Sequence, residues 1–333
     1  MPMHLTTPKL SSEVLKAFEH ALENRASMPL DEFVQWALYH PKVGYYQKGK
    51  KRVGKGTEND FYTSTSLGSL WGELIVASSL NLLTDQDPKN YTFVEIAAEP
   101  SSSILENVEH PYRDHLIIRL GDPIQIPERS IVYSNEWLDA QPFKKFRFDG
   151  KQSKWKEIFV GIKENQIVEI AQDLSDSFIC PLPDNITDGY EIDWPTGSIE
   201  SIDSLLKQNS WSGLFLTFDY GLNSKTILED RPSGTARAYR NQKMSSEILA
   251  YPTDQDITCH LCWDILENTL DRFGFTEITL QTQESFLMKN AQQQIQNIFI
   301  HNSPLNPKML ALRELIHPAH LGHGLQALSA IKL

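Results

Sequence analysis

The sequence predicts an α/β fold built on a doubly wound, mostly parallel sheet, with a helical extension at the N-terminus and an antiparallel insertion. Three observations carry this expectation. From Tyr91 onward, strand-like apolar runs at 92–97, 115–120 and 131–133 alternate with a short helix near Ile104, as strands joined by crossovers do. The run 131–133 stops abruptly at Ser134-Asn135-Glu136, followed by Asp139 and Pro142, so a buried strand ends in a polar cluster. After Pro142, strand-like pieces at 143–148, 155–161 and 167–171 are joined by Asp-Gly and Glu-Asn turns, the pattern of an antiparallel meander. The chain therefore divides into a helical extension over 1–86, a main α/β domain over 87–142 and 196–333, and an insertion over 143–195.

In order along the chain, Ser11 or Ser12 can cap a helix whose apolar residues Val14, Leu15, Phe18, Ala21 and Leu22 recur at helical spacing. A second helix over 30–39 halts before Pro41 and Gly44. Lys48, Lys50, Lys51, Arg52 and Lys55 then form a basic loop, which is either solvated or meets an acidic partner. Thr63 to Ser66 offer N-caps for an apolar helix over 67–83. Beyond the insertion, strand 213–218 delivers Asp219-Tyr220-Gly221 to another strand end. Gly234 to Gln242 reads as a loop holding Arg237, Tyr239 and Arg240. A helix over 263–273 closes at Gly274, strand 276–280 follows, and a helix over 285–301, a short helix and a C-terminal strand complete the chain.

In an open parallel sheet, ligands gather at the carboxyl ends of strands, so Asn135, Glu136 and Asp139 line a pocket or, with equal chemical sense, close a polar turn. Composition narrows the functional classes. With 31 Lys plus Arg against 43 Asp plus Glu, the formal charge of −12 opposes general binding to nucleic acid or to anionic membranes. Residues 1–10 hold no apolar run of signal-peptide length, and nothing approaches the roughly 18 apolar residues of a membrane span, so a cytoplasmic protein without membrane insertion is expected. Three cysteines, Cys180, Cys259 and Cys262, fit a reducing compartment. Cys259-His260-Leu261-Cys262 lacks the second ligand pair that structural zinc needs, and His317, His320 and His323 are interrupted by Pro318 and Gly322, so no metal is expected. Neither a phosphate loop nor a Gly-x-Ser-x-Gly elbow occurs.

Several strings in order resemble the MidA-like family of S-adenosylmethionine-dependent methyltransferases, the group that includes the mitochondrial arginine methyltransferase acting in complex I assembly. They are Ala37-Leu38-Tyr39-His40-Pro41 with Gly44-Tyr45-Tyr46, Asp60-Phe61 with Thr63-Ser64, Asn135-Glu136 with Leu138-Asp139-Ala140 and Pro142, and Asp219-Tyr220-Gly221. Gly234-Thr235 with Arg237-Ala238-Tyr239-Arg240, then Asp256-Ile257-Thr258 with His260, and Gln283 with Phe286-Leu287 continue the series. The resemblance implies a class I, Rossmann-like methyltransferase that takes S-adenosylmethionine and acts on a protein side chain such as arginine, with room for a homodimer. It implies cofactor binding by Asp60, Thr63, Ser64, Glu95, Ala97, Asp122 and Asn135. Catalysis falls to Asn135, Glu136, Asp139, Asp219 and His260: Glu136 and Asp139 hold a basic acceptor, and Asp219 or His260 takes its proton.

The sequence departs from the family pattern at the loop after the first strand, where three glycines are replaced by Ala97, Glu99 and Ser101. Each replacement costs on the order of 1 kcal/mol if the loop keeps its shape. The acid expected at the end of the second strand is also missing. Asp122 is the nearest substitute, beyond the roughly 20 residues after the first strand at which a ribose-binding acid is usual. These departures set up an alternative: a non-catalytic assembly or binding protein that keeps the fold and has lost the cofactor.

Overall fold

The computed structural model describes residues 11–47, 64–100, 102–175, 182–184, 186–208, 211–317, 322 and 324–333. The basic loop at 48–55, Asp60, Thr63, Ser101, Cys180, His320 and His323 lie outside the described residues. The chain is an α/β protein with parallel and antiparallel strand pairings, and it separates into two compact units. The first comprises Met1–Phe61, Asp139–Ile199 and Leu222–Cys262; the second comprises Tyr62–Leu138, Glu200–Gly221 and Trp263–Leu333. Among the described residues no helix is long and apolar enough to cross a membrane.

In the first unit, Ser11 caps helix Ser12–Ala21, its hydroxyl accepting from the Val14 N–H, and helix Leu30–Tyr39 occupies the range the sequence predicts. Phe18, Phe33 and Trp36 meet between these helices, Phe18 and Phe33 edge to face at 5.8 Å. The predicted meander is present as antiparallel strands Lys144–Asp149, Lys154–Lys163 and Gln166–Asp173. Two strands that the sequence did not announce join it: Ser27–Pro29 pairs with Lys154–Lys163, and Glu191–Trp194 pairs with Lys144–Asp149. Both are too short to show a period. One apolar cluster then takes in Phe18, Met28 and Phe33 from the N-terminal region together with Phe143, Val160 and Ile167 from the meander. Residues read as the loop Gly234 to Gln242 instead hold strand Arg237–Arg240, which pairs with Asp256–Thr258 and, through a two-residue hairpin, with Lys243–Ser245. Asn241 and Gln242 both adopt left-handed backbone, at φ 50° and 59°, the geometry that matches a hairpin turn to strand twist. A strand this polar carries no apolar alternation by which to find it.

The second unit is built on a six-stranded sheet in the order Thr276–Thr282, Gln326–Lys332, Ser212–Asp219, Arg129–Asn135, Thr92–Ile96, Asp114–Ile118. The four strands from Ser212–Asp219 to Asp114–Ile118 pair in parallel. Gln326–Lys332 runs antiparallel to both of its neighbours. From Thr92–Ile96 the chain moves to Asp114–Ile118 on one side, then returns to Arg129–Asn135 on the other. Such a reversal opens a crevice at the carboxyl ends of the two strands that flank it.

Helices Ser69–Leu83, Gln283–Asn290, Gln292–His301 and Pro307–Ile316 share one apolar core with this sheet. The long helix expected over 285–301 is divided at Ala291, whose φ of −113° leaves the helical range. Helix Ser69–Leu83 starts after Gly68 with no side-chain cap, so the caps sought between Thr63 and Ser66 are not used. Trp71 donates from Nε1 to the Tyr133 hydroxyl at 2.7 Å and meets Phe218 edge to face. The short helix expected near Ile104 is only a turn over 104–107.

Gly72 lies where that turn crosses helix Ser69–Leu83: a Cβ there would stand 1.9 Å from the Ile104 carbonyl oxygen. In an open helix, Gly→Ala adds about 1 kcal/mol of stability. Here the clash wins, so Gly72→Ala is expected to lower stability by about 1–3 kcal/mol in urea unfolding. An unchanged or raised midpoint would show that the backbones do not approach so closely.

Candidate functional site

Three neighbouring parallel strands present their carboxyl ends together, because Glu95 is in register with Tyr133, and Asn135 with Phe218. Asn135 and Glu136 therefore stand at the reversal in chain order. The Asn135 amide nitrogen donates to Glu136 Oε1 at 3.0 Å, while the Glu136 N–H donates to the Phe218 carbonyl at 2.9 Å. That bond holds Glu136 at φ 47°, and on the opposite flank of the crevice Ala97 sits at φ 60°. Left-handed backbone costs a non-glycine residue roughly 1–2 kcal/mol, and two such residues face each other across one strand reversal. Ala97 thus adopts the left-handed backbone that glycine takes without strain. The Asn135 carboxamide oxygen is buried and accepts no hydrogen bond from the described residues.

The other candidates in this unit are committed to holding backbone. Asp219 is fully buried; its Oδ2 accepts the Leu138 N–H at 2.9 Å and its Oδ1 accepts its neighbour Tyr220 N–H at 2.8 Å. A carboxylate with an N–H on each oxygen is a poor proton acceptor. Glu95 accepts from the Ser103 hydroxyl at 2.6 Å and from the Ile104 N–H at 3.2 Å, with His115 Nε2 3.4 Å away. It pins the turn that replaces the expected helix. Ser64 is buried and donates to Gln283 Oε1 at 2.9 Å, a packing role.

Asp122 is exposed, and its Oδ2 accepts the Arg119 N–H at 2.9 Å, closing a turn. Arg119 occupies the position directly after the second strand where an acid was sought. Its guanidinium donates from Nε to the Glu99 carbonyl at 3.1 Å and from Nη2 to the Ser102 carbonyl at 3.4 Å. Sequence reasoning missed this residue because it falls inside the expected strand 115–120, whereas the strand ends at Ile118. A cofactor at the crevice would meet the Asn135 oxygen and the left-handed turn at Ala97. The position directly after strand Asp114–Ile118 carries a cation.

In the first unit, Asp139 is buried and its carbonyl accepts the Cys259 N–H at 2.8 Å. Tyr39 donates to the Ala140 carbonyl and Tyr46 to Asp256 Oδ1, each at 2.9 Å, with the two rings stacked 5.4 Å apart. Burial, then the charges of Asp256 and Asp139, push both phenols upward, so they stay protonated donors. His260 is different. Burial first, then the charges of Arg231 and Arg237, lower its pKa to about 4, and its Nδ1 is buried without a partner. An imidazole in that setting is neutral at pH 7 and holds an added proton poorly. Burial, with Asp193 nearby, pushes the Cys259 thiol well above its ordinary range, opposite to what a metal-binding thiolate needs. No group of residues that could hold a metal ion occurs among the described residues.

Comparison with known proteins adds three findings. The family described as "Putative S-adenosyl-L-methionine-dependent methyltransferase" matches residues 74–280. A Burkholderia thailandensis protein solved bound to S-adenosyl-homocysteine is 18% identical with a TM-score of 0.81, over 98% of this chain and 95% of that one. A native structure of a protein from the same organism is 17% identical with a TM-score of 0.76, over 98% and 95% of the two chains. At these identities the likeness is one of fold. No curated protein matches the chain.

The state of His260 has a measurable consequence. With the folded pKa near 4 and the unfolded value near 6.5, the unfolded chain binds more protons between these limits, so stability falls as pH drops through that window. Relative to His260→Gln, the protein is expected to lose on the order of 2–3 kcal/mol more stability between pH 7 and pH 4, read by urea unfolding across pH. Parallel pH profiles for the two would show that His260 is not held neutral.

Proposed function

We propose, from the premise that the chain belongs to this S-adenosyl-L-methionine-dependent methyltransferase family, that it methylates a basic protein side chain such as arginine and is of the MidA-like group. On this reading, the six-stranded sheet is the family's doubly wound sheet, with its one antiparallel strand. The observation that carries the proposal is the buried Asn135 oxygen without a donor, set beside two left-handed residues at the reversal in strand order. A buried acceptor left unsatisfied costs about 1–3 kcal/mol, which a ligand donor arriving there would relieve. S-adenosylmethionine, when bound, supplies a methyl group on a sulfonium. Asn135 orients the ligand, since a side chain at a strand end is more rigid than one on a loop. Glu136, held by Asn135, supplies the negative charge that steadies a cationic acceptor. Asp219 has both oxygens engaged, and His260 is held neutral by burial first and then by the charges of Arg231 and Arg237, so neither is assigned the acceptor's proton.

A second reading, a binding or assembly protein that keeps the fold without the cofactor, is favoured by Arg119, whose guanidinium grips the loop carbonyls, and by the turn where a helix would follow that loop. Calorimetry with S-adenosylmethionine and S-adenosylhomocysteine separates the two. The first reading expects binding that stabilises the fold by RT ln(1 + [L]/Kd) and weakens tenfold or more in Asn135→Ala, with no more than about 1 kcal/mol lost from stability. No heat and no shift in melting at millimolar cofactor would establish the second.

A further inference from the structure

We propose that Phe148, Trp155 and Tyr190 form an aromatic cage for a quaternary ammonium group, a site that does not depend on the methyl-transfer reading. The meander builds it. Phe148 and Trp155 stand directly opposite each other on strands Lys144–Asp149 and Lys154–Lys163, so their side chains leave the sheet on the same face. Tyr190 comes in along the other edge of Lys144–Asp149, its carbonyl accepting the Phe148 N–H at 2.9 Å. Centroid to centroid, the Trp155 ring lies 5.6 Å from Phe148 at 69° and 6.4 Å from Tyr190 at 86°. Trp155 is therefore steeply inclined to both other rings, as adjoining walls of a box are. Its indole Nε1–H donates to the Pro183 carbonyl at 3.1 Å, which fixes the orientation of that wall.

These rings are not spent on a core. None of the three belongs to either large apolar cluster, and Phe148 and Trp155 remain part-exposed. Tyr190 is 7% exposed, and its hydroxyl, buried beside the Arg231 backbone, makes no hydrogen bond of ordinary geometry among the described residues. Two acids stand near the rim. The Glu191 N–H donates to the Pro232 carbonyl at 3.0 Å, which brings the segment carrying the exposed Glu229 and Asp230 alongside Tyr190. Burial first, then the charges of Asp230 and Glu229, push the Tyr190 phenol upward, as acids within electrostatic reach of the ring must. Aromatic faces attract a cation through the ring quadrupole, and negative charge at the rim draws it in. A primary ammonium or a guanidinium would leave its N–H donors unpaired against the rings, whereas a quaternary ammonium has none to satisfy.

The test uses the full chain with tryptophan labelled at the indole nitrogen, Trp155 being assigned by its loss in Trp155→Phe. At constant ionic strength, choline is expected to shift the Trp155 resonance saturably. Dimethylbutanol, the uncharged isostere with carbon in place of nitrogen, is expected to bind about tenfold more weakly. Phe148→Leu is expected to weaken the choline response about tenfold. Glu229→Gln with Asp230→Asn, altered at exposed positions, is expected to weaken it about threefold and serves if Phe148→Leu does not fold. The same titration with a short peptide carrying trimethyllysine identifies the source of the group: tighter binding than choline places it on a protein, equal or weaker binding on a small molecule. No saturable shift with choline, equal binding of the isostere, or unchanged choline affinity in the folded variants overturns the cage.

Discussion

Asp219 joins the ends of two neighbouring strands by accepting one backbone N–H on each carboxylate oxygen, and much else in the protein repeats that device. Glu95 holds the turn after the first strand through the Ser103 hydroxyl and the Ile104 N–H, and Asp193 holds the turn before strand Arg237–Arg240 by taking the Thr235 and Ala236 N–H groups on Oδ2, with Lys145 Nζ 3.7 Å from Oδ1. Each carboxylate is nearly or fully buried. Burying a charge in this way is favourable only if its lone pairs are satisfied, and a charged acceptor on backbone N–H bonds is worth more than a neutral one. Loops that would otherwise leave buried N–H groups without partners are therefore fixed from inside, with no regular structure of their own. Asp219 and Glu95 fix the backbone beside the crevice at the strand reversal.

The same device explains what could be read from the sequence and what could not. The helices at 12–21 and 30–39, the meander and the strands of the parallel region announce themselves through periodicity, but the polar break after Tyr133 falls two residues before the strand's end at Asn135. Asp219 was legible as an acid at a strand end, but its bonding was not: nothing in a sequence says whether a carboxylate faces solvent, ligand or backbone. Arg119 lies inside the run 115–120 that reads as a strand, and it stands at a strand end only because the strand stops at Ile118. Asp193 gave no local signal, since the turn it holds begins at Gly234, far along the chain. Strands Ser27–Pro29 and Arg237–Arg240 owe their existence to partners distant in sequence, which is where pattern reading fails.

Ala97 bears on the question of the cofactor loop. Replacing glycine there carries a strain cost, and the chain holds Ala97 in the left-handed region with the Glu95 bonds on one side and Arg119 on the other. The resemblance expects an acid at the end of the second strand, and there the chain carries a guanidinium. Fold likeness to the Burkholderia thailandensis structures is compatible with that change, since a backbone can be shared when the charges lining it are not.

The Cys259 thiol carries a consequence of another kind. Alkylating reagents attack the thiolate, and in the folded first unit this sulfur is both covered and strongly biased toward its protonated form. Modification at Cys259 can proceed only through molecules in which the surrounding core has opened. The labelling rate at that one sulfur therefore measures how often the first unit opens, without a probe being introduced and without unfolding the second.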